Sequence, residues 1–352
     1  MNADARAAAR VRALVGVAAD LAARPDPRLE RRLVESTGLS PEGVRFGIER
    51  CLEREVRPDE LARLLAAVRP AAAVAVVLSA NVFTASLRAL CLACAASPRV
   101  YVRPSRREPH FAAALVERLG APDVTLVESL SDAAGASVVH AYGRDESLRA
   151  ILRERGLPLW AHGAGLGVAV VSREAPLEPA ALALAEDLVA FDQRGCLSPR
   201  IALSIGEPAR ARDLAAALAA ALASWETHVP AGALSAAERA ERLRARDTAL
   251  LVGEVHEGPA GALVAVPELD GGAPLLLFPP GRNLSVVAVR DPSEAHARVA
   301  SLGRAVVTLG ASDLGMARAV APPWARVAEL GRMQRPPLDG PVDGRDVWLT
   351  PS

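Results

Sequence analysis

Short apolar runs rich in β-branched residues alternate with stretches of helical periodicity, and this alternation limits what the chain can fold into. Val74-Ala75-Val76-Val77-Leu78 is such a run. It is too short for a buried helix and reads as a strand buried on both faces. Residues 84–96 follow with a helical pattern, then 100–102 as a strand and 110–119 as a helix. Residues 124–127 and 136–140 read as strands and 145–155 as a helix. Alternation with short connections predicts a parallel sheet wound on both faces. A second such series starts near residue 201. Strands are expected at 201–204, 275–278, 286–289 and 305–309, and helices at 208–223, 233–246 and 293–302. Before the first strand the chain reads as helices punctuated by Pro25, Pro27, Pro41 and Pro58, and Pro-rich residues from Pro322 onward read as an irregular tail. The expected division is a helical segment 1–68, an α/β lobe 69–187, a second α/β lobe 188–320 and a tail 321–352.

The 352 residues, half of them hydrophobic, exceed one ordinary core, which agrees with two packed lobes. Arginine and acidic residues balance at 41 each. That balance gives no electrostatic case for nucleic acid or an anionic membrane. The sequence contains no lysine, which excludes lysine Schiff-base chemistry. The most apolar stretch, 71–97, carries Asn81 and Arg88 in its middle, so no membrane span is expected there. The N-terminus has no apolar run before a cleavage site. Together with sparse, irregularly spaced cysteines, this points to a reducing, cytoplasmic setting.

The cysteines are Cys51, Cys91, Cys94 and Cys196. Cys91 and Cys94 lie in an apolar helical pattern and read as small buried hydrophobes, as does Cys51. Nothing completes a zinc site around them, so no metal is expected. Cys196 differs. The segment Phe191-Asp192-Gln193-Arg194-Gly195-Cys196-Leu197-Ser198-Pro199 ends a helical pattern and precedes a strand. A thiol at such a junction is reachable by substrate and lies near backbone N–H groups that favour thiolate and can stabilise an oxyanion.

This segment resembles the nucleophile loop of the aldehyde dehydrogenase superfamily. Asp192-Gln193, Cys196 and Ser198-Pro199 are similar, more narrowly, to the LuxC-type fatty acyl-CoA reductases. The resemblance continues in order along residues 70–290. Ser79-Ala80-Asn81-Val82-Phe83 and Arg103-Pro104-Ser105 resemble the superfamily's Pro-Trp-Asn-Phe and Lys-Pro-Ser pair, with 22 residues from Asn81 to Arg103. Ala141-Tyr142-Gly143 resembles its Gly-Ser turn. Residues 160–165 stand in the place of its Glu-Leu-Gly-Gly segment, and 277–286 in that of its Phe-Gly-Pro loop.

The resemblance implies an α/β, aldehyde dehydrogenase-like fold, in which 69–187 binds the nucleotide cofactor and 188–320 carries the nucleophile. It implies that Cys196 attacks the substrate carbonyl, with the Asn81 amide and the Cys196 backbone N–H as oxyanion donors. Ser79 and Ala80 would lie beside the nicotinamide, Arg103 and Ser105 near the adenosine ribose, and Gly143 by the pyrophosphate. On the residues alone, the alternative for Asn81 is a turn residue capping the next helix, although a polar break in so apolar a stretch favours a functional role.

Two departures matter. The glutamate that activates water in aldehyde-oxidising members aligns with Ala161, 35 residues before Cys196. The ribose-holding glutamate of the Phe-Gly-Pro loop aligns with Leu276. Without a water-activating base, thioester chemistry is favoured over acid formation. His162 and His140 are the nearest histidines, read as structural or as a general acid for the leaving thiol. Arg103 in the lysine position favours NADPH, with NADH as the alternative.

The expected reaction is therefore reduction of an acyl-CoA or acyl carrier protein thioester to an aldehyde through a Cys196 acyl-enzyme. A homo-oligomer or a partner synthetase is the expected company. The rival readings are a CoA-acylating dehydrogenase working in the oxidising direction, and a non-catalytic paralogue that binds a partner.

Overall fold

The computed structural model describes residues 3–267, 275–340, 342–345 and 348–350. Four helices come first: α1 (Ala3–Ala23), α2 (Pro27–Thr37), α3 (Pro41–Phe46) and α4 (Pro58–Ala67). Their ends follow local rules. Asp26 caps α2 by accepting from the Arg28 and Leu29 amides at 3.0 and 3.2 Å, and Gly38 closes it in the left-handed region at φ 72°. Ser40 caps α3 through the Gly43 amide at 3.0 Å.

The first sheet contains β1 (Val74–Val77), β2 (Val100–Arg103), β3 (Val124–Leu126), β4 (Val138–Tyr142) and β5 (Leu159–His162), joined through α5 (Ala85–Ala96), α6 (His110–Leu119) and α7 (Asp145–Arg155). Its order is β5-β4-β1-β2-β3, all parallel. The winding reverses between β1 and β4. In open α/β sheets such a switch point opens a crevice at the carboxyl ends of the strands, where ligands bind.

The second sheet contains β6 (Leu166–Val171), β7 (Pro199–Ile205), β8 (Gly253–Glu257), β9 (Leu263–Pro267), β10 (Leu284–Val289), β11 (Val306–Ala311) and β12 (Arg326–Glu329), in the order β12-β11-β6-β7-β10-β9-β8. Only the β8–β9 pair is antiparallel. Five helices accompany it: α8 (Leu177–Val189), α9 (Pro208–Glu226), α10 (Ala236–Val252), α11 (Pro292–Ser301) and α12 (Leu314–Val320). One apolar cluster runs through α1, α5 and α6 of the first half and α8 and α9 of the second, so the two sheets share a core.

The N-terminal helices are part of that core. Arg10 of α1 sends its guanidinium to the end of α5, donating to the carbonyls of Cys94 at 2.7 Å, Ser97 at 2.5 Å and Pro98 at 2.9 Å. It thus satisfies carbonyls that a helix end leaves without partners.

Several elements depart from the sequence reading. The chain leaves the first sheet at 163–165, so β6 and α8, expected in the first lobe, belong to the second sheet. A three-residue link gives no compositional break at that crossing. The strand expected at 275–278 does not form. Pro279 and Pro280 deprive the following backbone of ladder donors, and side chains occupy the carbonyls instead. Ser285 Oγ donates to the Leu276 carbonyl at 2.9 Å, Arg200 donates to that of Phe278, and Asn283 Nδ2 donates to that of Pro279 at 2.9 Å.

The tail is not irregular throughout. β12 extends the second sheet beside β11, and β13 (Trp348–Leu349) pairs antiparallel with β5 of the first. Trp348 stacks on Trp160 at 6.0 Å, with the Arg69 guanidinium 4.4 Å over its ring. Arg88 of α5 pins the tail further by donating to the carbonyls of Pro336 at 2.7 Å and Leu338 at 3.0 Å.

No described helix is long and apolar enough to cross a membrane. Replacing Arg10 by Ala is expected to cost about 1–3 kcal/mol, from the part-buried carbonyls and the Asp123 carboxylate left without their donor. Urea unfolding measures it, and a loss under about 0.5 kcal/mol would show that water replaces the guanidinium.

Candidate active site

Cys196 sits in the turn between α8 and β7, and the backbone leading to it is strained. Phe191, Asp192 and Gln193 are three consecutive non-glycine residues with positive φ, at 54°, 49° and 63°. Each such residue costs of order 1–3 kcal/mol, so the run persists only if its surroundings impose it.

Those surroundings are specific. The carboxylate of Asp192 is buried and accepts from Arg282 Nε at 3.0 Å and Nη2 at 2.8 Å through one oxygen. Its other oxygen accepts the Gly232 amide at 2.9 Å. Arg282, 2% exposed, spends its remaining donors on Glu226 at 2.8 Å and the Val229 carbonyl at 2.9 Å. Gln193, fully buried, behaves as a strand-like rung. Its Nε2 donates to the Pro199 and Asn283 carbonyls at 2.7 and 2.6 Å, and its Oε1 accepts the Asn283 amide at 2.8 Å. The sequence motifs contained Asp192-Gln193 and Arg282-Asn283 separately. Nothing in their spacing of 90 residues announced that they pair.

Phe191 carries the loop to the first sheet. Its ring meets Phe83 edge-on at 5.6 Å, and Phe83 meets Phe111 of α6 at 5.1 Å. Gly47 is required beneath this contact, since a Cβ there would lie 2.9 Å from Phe191 and 3.0 Å from Phe83. The same closeness recurs at Gly195, whose Cβ would lie 3.1 Å from Val82 Cγ2. Gly195 precedes Cys196 and Val82 follows Asn81, so the structure brings those two loops together.

Asn81 is exposed in the loop after β1 and makes no hydrogen bond among the described residues. The N-cap of α5 is Thr84, without a side-chain bond, so Asn81 does not cap that helix. Cys196 is the exposed member of four free cysteines. Its backbone N–H has no acceptor among the described residues beyond its own thiol, which it acts to keep ionisable. The residue is open to solvent, yet the surrounding protein pushes the thiol up to about 11. Asp343 adds to this rise and Arg345 opposes it. Its exposed surface gives a reagent access. Packing sets ionisation, and its direction is upward. Cys51 and Cys94 are buried and pushed to about 12, and burial also raises Cys91.

The remaining expected residues line the carboxyl edge of the first sheet. Ser79 and Ala80 follow β1, with Ala80 buried. Arg103 ends β2, half-buried, and its guanidinium has no partner among the described residues. Ser105 Oγ accepts the Arg107 amide at 3.2 Å in a local turn. Gly143 follows β4 two residues before α7, and a Cβ there would meet nothing within 4 Å. The edge thus leaves space around Gly143 next to the switch point. Among the described residues no hydrogen bond joins Arg103, Ser105 or Gly143 to Cys196.

Ala161 lies in β5 and packs its methyl into an apolar cluster with Ala75, Val77, Val139 and Ala141. Its neighbour His162 stacks on Tyr142 at 4.6 Å. Burial pushes His162 down to about 4, with Asp343 opposing and Arg345 reinforcing the fall, and burial drives His140 down to about 3. Both are neutral near pH 7. Asp343 and Arg345 therefore act electrically on both Cys196 and His162, a role the sequence did not signal. Among the described residues no three His, Cys, Asp or Glu gather as a metal site.

The comparisons agree with this fold. The chain is similar in fold to an oxidoreductase from Marinobacter aquaeolei, at TM-score 0.71 and 13% identity over 94% of this chain and 78% of that one. It is likewise similar to a NAD-dependent benzaldehyde dehydrogenase from Corynebacterium glutamicum, at TM-score 0.67 and 15% identity over 99% and 85%. Lactaldehyde dehydrogenase from Escherichia coli matches at TM-score 0.66 and 16% identity over 95% and 79%. No curated protein matches the chain in sequence.

Asp192→Ala removes the partner of a buried arginine and is expected to destabilise the protein by about 3–5 kcal/mol. Urea unfolding tests this, and a loss below about 1 kcal/mol would show that the strained loop holds itself.

The family model for acyl-CoA reductase (LuxC) matches residues 7–345, and with that span and this fold the chain belongs to the LuxC acyl-CoA reductase family, oxidoreductases acting on aldehydes or thioesters.

Proposed function

We propose that this protein reduces an acyl-CoA or acyl carrier protein thioester to an aldehyde through an acyl-enzyme on Cys196, using NADPH. One observation carries the reading. An exposed thiol stands in a loop that touches the Asn81 loop; among the described residues the Asn81 amide makes no hydrogen bond and the Cys196 N–H serves only its own thiol. A tetrahedral oxyanion requires donors of this kind, held by no other group once the thiol has attacked.

Cys196 Sγ, its proton passed to solvent, forms a bond to the thioester carbonyl carbon. The carbonyl oxygen gains the charge and is held by the Asn81 amide and the Cys196 N–H. Collapse breaks the bond to CoA sulfur, and CoA leaves as a thiolate that takes up a proton. Ser79 and Ala80 would hold a nicotinamide, Arg103 and Ser105 the adenosine ribose, and Gly143 would leave room for the pyrophosphate at the switch point. A bound nicotinamide supplies the hydride that turns the acyl group into an aldehyde. Cys196 returns to its starting state when its bond to that carbon breaks. Each departing group is a thiolate, so no water needs activation. Ala161 supports this, because its methyl is part of an apolar cluster and offers no carboxylate. The NAD-dependent benzaldehyde dehydrogenase is a fold relative for which a nicotinamide cofactor is stated.

Mixing the protein with an acyl-CoA and no reductant should add one acyl group at Cys196, read by intact-protein and peptide mass spectrometry. The adduct should outlast minutes in buffer and vanish on addition of NADPH, with aldehyde as product. Asn81→Ala should slow acylation by about 10²–10³-fold with the fold intact. Labelling at Cys91 or Cys94, or rapid release of free acid, would overturn the reading.

Cofactor choice has a separate test. The unpaired Arg103 guanidinium suits a ribose 2′-phosphate. Arg103→Ala should lower kcat/KM for NADPH by about tenfold while that for NADH changes little. An unchanged ratio would remove Arg103 from cofactor selection.

A further inference from the structure

The C-terminal segment crosses the nucleophile loop and is fastened on both sides of the crossing. Asp187 of α8 accepts the Gly331 and Met333 amides at 2.6 and 2.9 Å, and Arg335 pairs with Glu186. Between these anchors lies Gln334, 7% exposed. Its Nε2 donates to Ser198 Oγ at 2.9 Å, and Ser198 is fully buried. Its Oε1 lies 3.0 Å from where a Gly195 Cβ would stand. The Ser198 amide donates to the Gly195 carbonyl at 3.1 Å, closing a turn in which Cys196 is the second residue. Gln334 therefore touches both ends of the turn that presents the thiol.

We propose that Gln334 is a positioning residue for Cys196, an inference that rests on reading Cys196 as the nucleophile. A buried amide costs desolvation unless it is used, and an apolar side chain of similar length would fill the same space without that cost. What the amide adds is direction. Bonded to Ser198 and packed on Gly195, it holds the turn in one conformation, with Cys196 Sγ and N–H presented together. Without the bond the turn populates other conformations, and the rate falls with the fraction that remains competent.

The test uses Gln334→Met, which keeps length and loses the hydrogen bond, and Ser198→Ala, which removes the same bond from its other end. Two readouts are taken on the full chain. One is the alkylation rate of Cys196 by iodoacetamide, located by peptide mass spectrometry. The other is steady-state reduction of an acyl-CoA. Each variant should slow alkylation by about tenfold, the scale of one net hydrogen bond, and should lower kcat with KM unchanged. The double variant should be no slower than either single one, because both remove one interaction.

Alkylation within about twofold of the starting protein in either variant, or losses that multiply in the double variant, overturns the proposal. If Gln334→Met fails to fold, Ser198→Ala decides alone. Alkylation needs no acyl donor. Hence a protein that takes no acyl group from any acyl-CoA would defeat the functional reading, while the alkylation rates would still judge Gln334.

Discussion

The buried pair of Arg282 and Asp192 is the constraint on which the site depends. Two charges with side chains only 3% and 6% exposed are costly to desolvate, and proximity alone does not offset that. The guanidinium fork reaches Asp192 with two nitrogens and satisfies its third with Glu226 and the Val229 carbonyl. The carboxylate completes its set on the Gly232 amide. This network joins the loop before β10, the end of α9 and the loop beyond it to the strained residues ahead of Cys196. The strain at Phe191, Asp192 and Gln193 is thus sustained by the second sheet and its helices rather than by local sequence.

The first sheet enters through aromatic contacts. Phe83 lies between Phe111 and Phe191, so a ring from the Asn81 loop is clasped by a helix of one sheet and the nucleophile loop of the other. Gly47 lets the rings approach, and Val82 against Gly195 continues the contact toward the thiol. The N-terminal helices matter here because α3 and the turn after it supply Gly47, and α1 braces α5 through Arg10. A site assembled between two sheets requires such a bridge, since neither sheet alone sets the Asn81 loop against the Cys196 loop.

Elements with strong local signals were legible. The helix limits at His110–Leu119 and Asp145–Arg155 coincide with the sequence reading, because glycine follows each and ends it in the left-handed region. Strands β1 and β2 were read from β-branched runs. What failed was non-local. Leu166–Val171 is an apolar run, but nothing in it says which sheet it joins. The short strands in the tail exist only because β11 and β5 offer edges to them. Cys196 and Asn81 were legible as residues of motifs, and so were Asp192 and Arg282. The pairing of the last two, and the crossing of Gln334 over the Cys196 turn, arise from contacts between segments 90 and 136 residues apart. Periodicity over a dozen residues holds no trace of these contacts.

The missing carboxylate is also a matter of packing. Ala161 points into a cluster of small and branched apolar residues on β1, β4 and β5. A carboxylate placed there would lose its hydration, and its pKa would rise until it was neutral in the range where a base is needed. The neighbouring histidine shows the same pressure, since burial pushes His162 down to about 4 and removes its charge instead. Cys196 responds in the same sense, with its thiol pushed up. Burial thus disfavours charge on the Cys196 thiol and on the His162 ring alike, while the Asp343–Arg345 ion pair acts on both. An environment of that kind suits a neutral thioester awaiting hydride and gives attacking water no partner to accept its proton. The preference for reduction over hydrolysis, on the function proposed, is then a property of how β5 is packed and not of a single replaced residue.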